Sequence, residues 1–263
     1  MTESSPLMKQ LVSSPCCLPH WSYDSLLTAY ADLGFTKIEA FSEWAQGRLD
    51  WQEPPEVALQ KAQAHGIVIT SFHLPLIREE DTEAGLENAI HAARYAQAVG
   101  AKVVLFKAAT RAIFAQVGQR FLDALDRERI EVTPALQNHK GSAISTLENF
   151  QEVFDSLGND PRLKAVLEVG HFQRVGVPWQ SGWELLSDRI ALIHINEIRD
   201  GKSVLFGTGE VDFAGLLRKI KTTGYSGDIV VELELDTRGT EPQATLTGLR
   251  DAITLLTRLY TEA

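Results

Sequence analysis

The chain has 263 residues, close to the ~250 residues of a single α/β barrel, so one domain spanning residues 1–263 is expected. Its apolar fraction of 44% is ample for a buried core. With 25 basic against 35 acidic residues, the formal net charge is −10, which disfavours DNA and anionic membrane surfaces as partners.

The first residues show no targeting signal. Residues 1–6 lack the apolar stretch of a signal peptide, and no run of about 18 apolar residues occurs anywhere in the sequence. Cys16 and Cys17 are adjacent and have no other cysteine to pair with, which is typical of a reducing compartment. We therefore expect a cytoplasmic protein without a transmembrane helix.

Short apolar runs alternate with longer amphipathic stretches along the chain. The runs typical of buried strands are 11–14, 37–41, 67–73, 102–107, 131–136, 163–168, 190–195 and 228–232. The stretches typical of helices are 25–33, 55–65, 85–99, 113–129, 146–157, 178–187, 213–223 and 242–260. This alternation predicts a parallel sheet of eight right-handed units that closes into a (β/α)8 TIM barrel. An open doubly wound sheet is the alternative, but its usual glycine-rich phosphate loop, GxGxxG or GxxxxGK[ST], does not occur.

Polar side chains follow most of the predicted strands, where a barrel would bring them to one mouth. They are Glu39, His73, Lys107, Gln137, Asn138, His139, Glu168, His171, His194, Glu197 and Glu232. Imidazole nitrogens and carboxylate oxygens in one pocket are typical ligands of a divalent metal such as zinc, manganese, cobalt or magnesium. A histidine at a single strand end is more often structural, so the metal prediction depends on the whole set.

Several features allow two interpretations. Lys107 could bind an anionic substrate group or extend into solvent, and the segment 138–141 could bind a sugar hydroxyl or form a polar turn. Gly207 and Gly209 could cradle a phosphate, although such glycines more often only turn the chain. Four tryptophans could stack on a sugar ring, or pack in the core or in the interface of a homo-oligomer: Trp44, Trp51, Trp179 and Trp183.

Four segments resemble a known family. They are Glu168-Val-Gly-His171, His194-Ile-Asn-Glu197, Phe206-Gly-Thr-Gly-Glu-Val-Asp-Phe213 and Gly224-Tyr-Ser-Gly-Asp-Ile-Val-Val-Glu232. From about residue 11 to the C-terminus the chain is similar to the xylose-isomerase-like barrels. That superfamily holds sugar and sugar-phosphate isomerases and epimerases, inosose dehydratase and hydroxypyruvate isomerase types, and an endonuclease that cuts DNA at abasic sites. The motifs are specific for the superfamily and poor indicators of the substrate.

The resemblance implies a metal site and a substrate pocket. The metal ligands would be the residues that end strands five to eight: Gln137, Glu168, His194 and Glu232. His171 and His73 match positions near the substrate, and with Glu232 they are the expected catalytic residues. Further substrate contacts are expected from His139, Asn138, Lys107, Glu39 and Glu197. The implied substrate is a small carbohydrate.

Two residues depart from the family pattern. Gln137 stands where a carboxylate is expected, and an amide oxygen can ligate a cation but cannot act as a base. Glu168 replaces an aspartate with a side chain one methylene longer. Related isomerases pair carboxylates from strands five and eight as acid and base, which leaves Glu232 as the leading base here. The candidates for a second base are Glu39, His139, His171 and Glu197.

These observations lead to three hypotheses. The first is a metal-dependent isomerase, epimerase or dehydratase that removes a proton beside a metal-polarised carbonyl of a small sugar, sugar phosphate, keto-sugar or cyclitol. The second is a catalytically degenerate sugar-binding barrel, which the loss of the carboxylate at Gln137 supports. The third, abasic-site DNA cleavage, is disfavoured by the acidic charge and by Gln137.

Overall fold

Eight parallel strands close into a barrel in this computed structural model, which describes residues 6–235 and 239–263. The barrel strands are β1 (Leu11–Ser13), β2 (Lys37–Phe41), β3 (Val68–His73), β4 (Val103–Leu105), β5 (Thr133–Gln137), β6 (Lys164–Glu168), β7 (Ile190–Asn196) and β10 (Asp228–Glu232). Between β7 and β10 lie β8 (Ile198–Arg199) and β9 (Lys202–Ser203), which are not part of the barrel. The short β8 and β9 form a separate antiparallel hairpin, and β1 closes the barrel by pairing with both β2 and β10. The predicted (β/α)8 TIM barrel is confirmed.

Helices follow the strands and surround the barrel. They are α1 (Tyr23–Asp32), α2 (Pro55–Ala64), α3 (Thr82–Ala98), α4 (Arg111–Glu128), α5 (Leu147–Ser156), α6 (Val169–Arg174), α7 (Trp179–Leu186), α8 (Phe213–Thr223) and α9 (Pro242–Glu262). The side chain of Ser22 accepts a hydrogen bond from the amide of Ser25 and so caps α1. In the described part of the chain, no helix is both long and apolar enough to span a bilayer. The prediction about the first residues falls on 1–5, which lie outside the described residues.

The barrel interior is filled by one layer of apolar side chains from alternate strand positions. This layer consists of Val12, Leu105, Ala135, Val166, Leu192 and Val230, all of them buried. A second and larger apolar core lies between the strands and the helices, where for example the rings of Phe106 and Phe121 stack with centroids 4.3 Å apart. Successive side chains in a strand face opposite ways, so residues two positions beyond the interior layer face the same interior, one level nearer the mouth.

The structure differs from the predicted elements near the mouth. Strand β4 ends at Leu105, so Lys107 lies in the loop beyond it. The predicted fifth strand 131–136 is observed as Thr133–Gln137, which places Gln137 inside the strand. Helix α6 and the β8–β9 hairpin were not predicted. Both are very short, and the side chain of Glu168 itself caps α6 by accepting a hydrogen bond from the amide of Gly170.

Candidate metal centre and substrate pocket

Three polar side chains meet at the mouth because they occupy the level directly above the interior apolar layer. They lie two positions after Val166, Leu192 and Val230, and they are Glu168, His194 and Glu232. Glu168 pairs with His194 across β6 and β7. Across β10 and β7 the partner of His194 is Val230, and Glu232, two residues further along β10, has its Oε1 3.2 Å from Nδ1 of His194. Alternation along three neighbouring strands therefore produces the cluster without any special local structure.

His194 is the centre of this cluster. Its Nδ1 lies 3.2 Å from Oε2 of Glu168, 3.2 Å from Oε1 of Glu232 and 3.3 Å from the side-chain amide nitrogen of Gln137. His194 and Glu168 are fully buried, and Glu232 is nearly so. Of the four residues expected to bind metal by resemblance, Gln137, Glu168 and Glu232 thus all lie close to Nδ1 of the fourth, His194. Rotation of the Gln137 amide by half a turn would present its oxygen, the atom that a cation needs.

The opposite edge of the His194 ring faces Glu39. Oε2 of Glu39 lies 3.1 Å from Nε2 of His194 and also 3.1 Å from Nε2 of His73. The same carboxylate accepts hydrogen bonds from the hydroxyls of Ser14 and Ser71, at 3.1 and 3.3 Å. Glu39 is completely buried and does not line the pocket, so it is placed beneath the site as a partner of two histidines rather than at the predicted substrate contact.

The charges of this cluster are strongly coupled. Burial by itself would lower the pKa of His194, but the carboxylates of Glu39, Glu232 and Glu168 outweigh it and raise that pKa well above its ordinary value. Burial and the neighbouring Glu168 raise the pKa of Glu232 well above its ordinary value. Burial opposes ionisation of Glu168 too, but its hydrogen bond to His194 and the charge of His171 lower its pKa to about 2. The two carboxylates that face one imidazole therefore differ in affinity for a proton.

The cluster fits a divalent metal ion. Ligand atoms of Glu168, His194 and Glu232 all lie within 4.8 Å of one another. Neighbouring ligands of an ion with bonds of about 2.1 Å stand roughly 3.0–3.4 Å apart, and the two N···O distances of 3.2 Å fall in this range. Oε2 of Glu168 is fully buried at 3.2 Å from Nδ1 of His194, and a carboxylate oxygen can accept a further partner there. One imidazole with two carboxylates is a donor set that suits zinc, manganese or cobalt.

A pocket of about 220 Å³ opens above the cluster. At about 30 Å³ for each water molecule, it holds roughly seven waters, which is the scale of one small sugar. Six of the predicted site residues line it: His73, Lys107, Gln137, His139, His171 and Glu232. Glu168 and His194 lie directly below. The sequence analysis did not single out Glu234, which lines the pocket as well and pairs with Arg174 at 3.0 Å.

Two of the pocket histidines, His73 and His171, have lowered pKa values. Burial, countered in part by Glu39, lowers the pKa of His73 to about 4. Burial, countered in part by Glu168, lowers the pKa of His171 to about 4. Nδ1 of His171 accepts a hydrogen bond from the amide of Lys140 at 3.3 Å, so Nε2 carries its proton. The His139 ring packs on His171 with centroids 3.7 Å apart, which places two imidazoles side by side in the pocket wall.

Two residues predicted to contact the substrate, Asn138 and Glu197, are buried outside the pocket lining. Asn138 is fully buried, and its side chain is hydrogen-bonded to the backbone at the end of β6. It donates to the carbonyl of Glu168 and accepts from the amide of Glu168. Glu197 is buried too, and its carboxylate accepts from three backbone amides, those of Ile198, Gly207 and Val211. Neither residue lines the pocket. Of the two interpretations of the glycine-rich loop, the phosphate cradle is disfavoured, because Glu197 already accepts from the amides of Gly207 and Val211.

The position of Glu197 explains one of the loop glycines. A Cβ atom on Gly209 would lie 2.3 Å from Oε1 of Glu197, far inside contact distance, so the carboxylate can approach only a glycine there.

The tryptophans differ in how far their side chains are buried. Trp179 and Trp183 are buried, whereas Trp44 is 62% exposed and stands at the rim of the pocket.

Comparison with known proteins identifies relatives of the whole fold. A family model described as a xylose isomerase-like TIM barrel matches residues 27–258. The L-ribulose-5-phosphate 3-epimerase UlaE of Salmonella heidelberg (strain SL476) is 27% identical over 248 residues, which cover 86% of each chain. Two solved structures superpose with a TM-score of 0.74 at 18% identity. They are a xylose isomerase domain protein from Alicyclobacillus acidocaldarius, covering 96% of this chain and 99% of its own, and an IolI protein with a bound zinc atom, covering 96% and 98%.

Proposed function

Because the chain belongs to the xylose isomerase-like TIM barrel family, we propose that it is a metal-dependent isomerase or epimerase, or a related dehydratase, of a small keto-sugar. The observation that carries the proposal is the convergence of Glu168, His194 and Glu232 below a pocket of single-sugar size. When bound there, a divalent ion would polarise a substrate carbonyl and acidify the neighbouring C–H bond. Among the relatives, UlaE is by name a sugar-phosphate epimerase, and the IolI protein carries zinc.

We assign the proton transfer to Glu232. It is the one member of the cluster that both belongs to the metal group and lines the pocket, so its carboxyl group can reach the substrate. A neighbouring carboxylate with a low pKa, here Glu168, is the usual sign that two acids at one site have different roles. Glu168 remains ionised and holds the cation, while Glu232 accepts or delivers the proton.

The second proton-transfer group is proposed to be His139 or His171. Gln137 has no ionisable proton, Glu39 lies below the pocket, and Glu197 is bound to the loop after β7. Of the four alternatives considered from the sequence, only the paired imidazoles line the pocket. A neutral imidazole can accept a proton at one nitrogen and donate at the other, which suits the return of a proton to the substrate.

A sugar-binding barrel without catalysis is the second candidate, and Gln137 is the observation that favours it. The two candidates differ in exchange of a substrate proton with solvent. We propose to incubate metal-loaded protein with free and phosphorylated ketoses in D2O and to follow deuterium incorporation by NMR. Incorporation that Glu232→Gln abolishes, while the exposed control Glu56→Gln retains it, supports the enzyme. Binding of a sugar without incorporation supports the degenerate barrel.

Other expectations from the sequence stay predictions. The cytoplasmic location, the absence of a nucleic-acid partner and the homo-oligomer are not tested by the fold. Metal analysis of protein purified without chelator would identify the ion. Light scattering would give the oligomeric state.

A further inference from the structure

Part of the pocket wall is apolar. We call this surface the rim wall, and it consists of Trp44, Leu76, Phe114, Ala143 and Ile144. Trp44 is exposed, whereas His73, His171 and the metal group are buried. A ligand that reaches the metal group with its polar end therefore leaves its other end against apolar side chains, where an unpaired charge is costly to bury.

Trp44 is held in this wall at a conformational cost. Its backbone φ is 50°, in the left-handed region that bulky residues avoid, and its side chain is 62% exposed, so burial does not offset the strain. Two hydrogen bonds to Glu43, the residue before Trp44, hold the backbone of this loop in place. The carboxylate of Glu43 accepts from the amide of Leu76 at 3.2 Å, and the carbonyl of Glu43 accepts from the amide of Ala45 at 2.7 Å. Strained residues of this kind are concentrated at ligand sites.

Aromatic rings connect Trp44 with the polar floor of the pocket. The ring centroids of Trp44 and Phe41 lie 5.4 Å apart, and those of Phe41 and His73 lie 4.2 Å apart. An aromatic surface of this kind packs well against the C–H face of a sugar, whereas an exposed tryptophan without a ligand leaves a large apolar area in water.

The charges around the pocket argue against a phosphate at the rim. Among the described residues that line it there is no arginine, and Lys107 is the one lysine. The charge of Lys107 already interacts with the carboxylates of Glu43 and Glu39. Two carboxylic acids, Glu232 and Glu234, also belong to the lining, with Glu234 paired to Arg174 at 3.0 Å, and Glu197 already occupies the amides of Gly207 and Val211 in the loop after β9. A phosphate dianion is usually bound by arginines or by free backbone amides.

We propose that the natural substrate is a free keto-sugar with no phosphate ester, and that Trp44 packs against its apolar face at the end remote from the metal group. The proposal rests on the proposed function and narrows it. It departs from the phosphorylated substrate that the name of UlaE gives for that relative.

The test compares matched pairs of substrates on the metal-loaded enzyme. Free 2-ketopentoses and 2-ketohexoses are assayed against their terminal phosphate esters, with kcat/KM from the NMR exchange assay and Kd from calorimetry. We expect the best free sugar to exceed its phosphate by at least about tenfold in kcat/KM. Trp44→Ala should lower kcat/KM for the free sugar by about five- to tenfold, as expected for loss of one stacking contact. Trp51→Ala, which removes a tryptophan outside the pocket, should not.

A second variant separates binding from folding. Trp44→Gly relieves the left-handed strain, so its unfolding midpoint should stay equal to that of the wild type or rise, while the affinity for the free sugar falls as in Trp44→Ala. Full activity of Trp44→Gly would overturn the role of Trp44. An equal or better kcat/KM for the phosphates, with metal binding and dependence on Glu232 intact, would overturn the substrate class and leave the proposed function standing. Absence of both binding and turnover for every sugar would overturn both proposals.

Discussion

The carboxylate of Glu39 is expected to control metal binding although it does not reach the substrate. It faces Nε2 of His194, and the other nitrogen of that ring faces Glu168 and Glu232. A carboxylate behind a metal-binding imidazole fixes the tautomer and the ring orientation and strengthens the ligand. Glu39→Gln keeps the size of the side chain and removes its charge, so it tests this role with little change in packing.

The distances set the expected magnitude. A full charge pair at 3.1 Å and an effective dielectric constant near 20 is worth about 5 kcal/mol, which is an upper limit because the imidazole of a bound metal is neutral. A hydrogen bond to a charged group contributes about 1.5–3 kcal/mol. We therefore expect Glu39→Gln to weaken metal binding about 10- to 100-fold, or roughly 1.4–2.7 kcal/mol.

Cobalt provides the assay, because its visible spectrum reports the ligand geometry directly and needs no substrate. Metal-free wild type, Glu39→Gln, Glu39→Asp and the exposed control Glu56→Gln are titrated with Co²⁺ in competition with a chelator. Glu39→Asp keeps the charge and should recover part of the affinity, and Glu56→Gln should match the wild type. An unchanged affinity and an unchanged cobalt spectrum in Glu39→Gln would refute the positioning role.

Two further predictions concern stability. Glu197→Ala leaves one buried and two partly buried backbone amides without their acceptor, so it should lower the free energy of unfolding by about 1–3 kcal/mol in urea titrations. Metal affinity of the folded protein should change little. A loss below about 0.5 kcal/mol would contradict the structural assignment. Hydrogen bonding to Arg162 lowers the pKa of Asp160 to about 2, so its contribution to stability is fully present above the unfolded-state pKa of about 4 and is lost as pH falls through about 2. Asp160→Asn should therefore destabilise the protein at pH 7, and the difference from the wild type should shrink between about pH 4 and pH 2 in thermal unfolding; a difference independent of pH would contradict this.

Much of the fold could be predicted from the sequence because the barrel repeats one simple rule. Apolar runs of strand length alternate with helical stretches, and a polar residue ends most of the runs. Helix α6 was missed because a residue assigned one role in the sequence has a second role in the structure. Glu168 was predicted only as a metal ligand, but its Oε1 also caps α6. The sequence therefore contains no other capping residue that would have indicated the start of this helix.

The site could be predicted as a set but not residue by residue. Glu197 and Asn138 are separated from His194 and Gln137 by three and one positions, so strand alternation already turns them to the opposite face. This parity is visible in the sequence and would have excluded Asn138, but the spacing from His194 to Glu197 equals that from Glu168 to His171, which does line the pocket, so it could not exclude Glu197. The position of Glu39 could not be obtained in this way, because its contacts with His194 and His73 join β2 to β7 and β3 across the barrel interior. Likewise, the exposure of Trp44 depends on how its loop folds.

The metal content of the protein tests the central claim most directly. Wild type, His194→Ala and the control His91→Ala, a helix residue outside the pocket, would be purified without chelator and measured by inductively coupled plasma mass spectrometry after dialysis. We expect close to one equivalent of a divalent transition metal in the wild type and in His91→Ala, and almost none in His194→Ala. A wild type that binds no divalent metal even after incubation with zinc, manganese or cobalt, or a His194→Ala variant that retains a full equivalent, would contradict the metal centre.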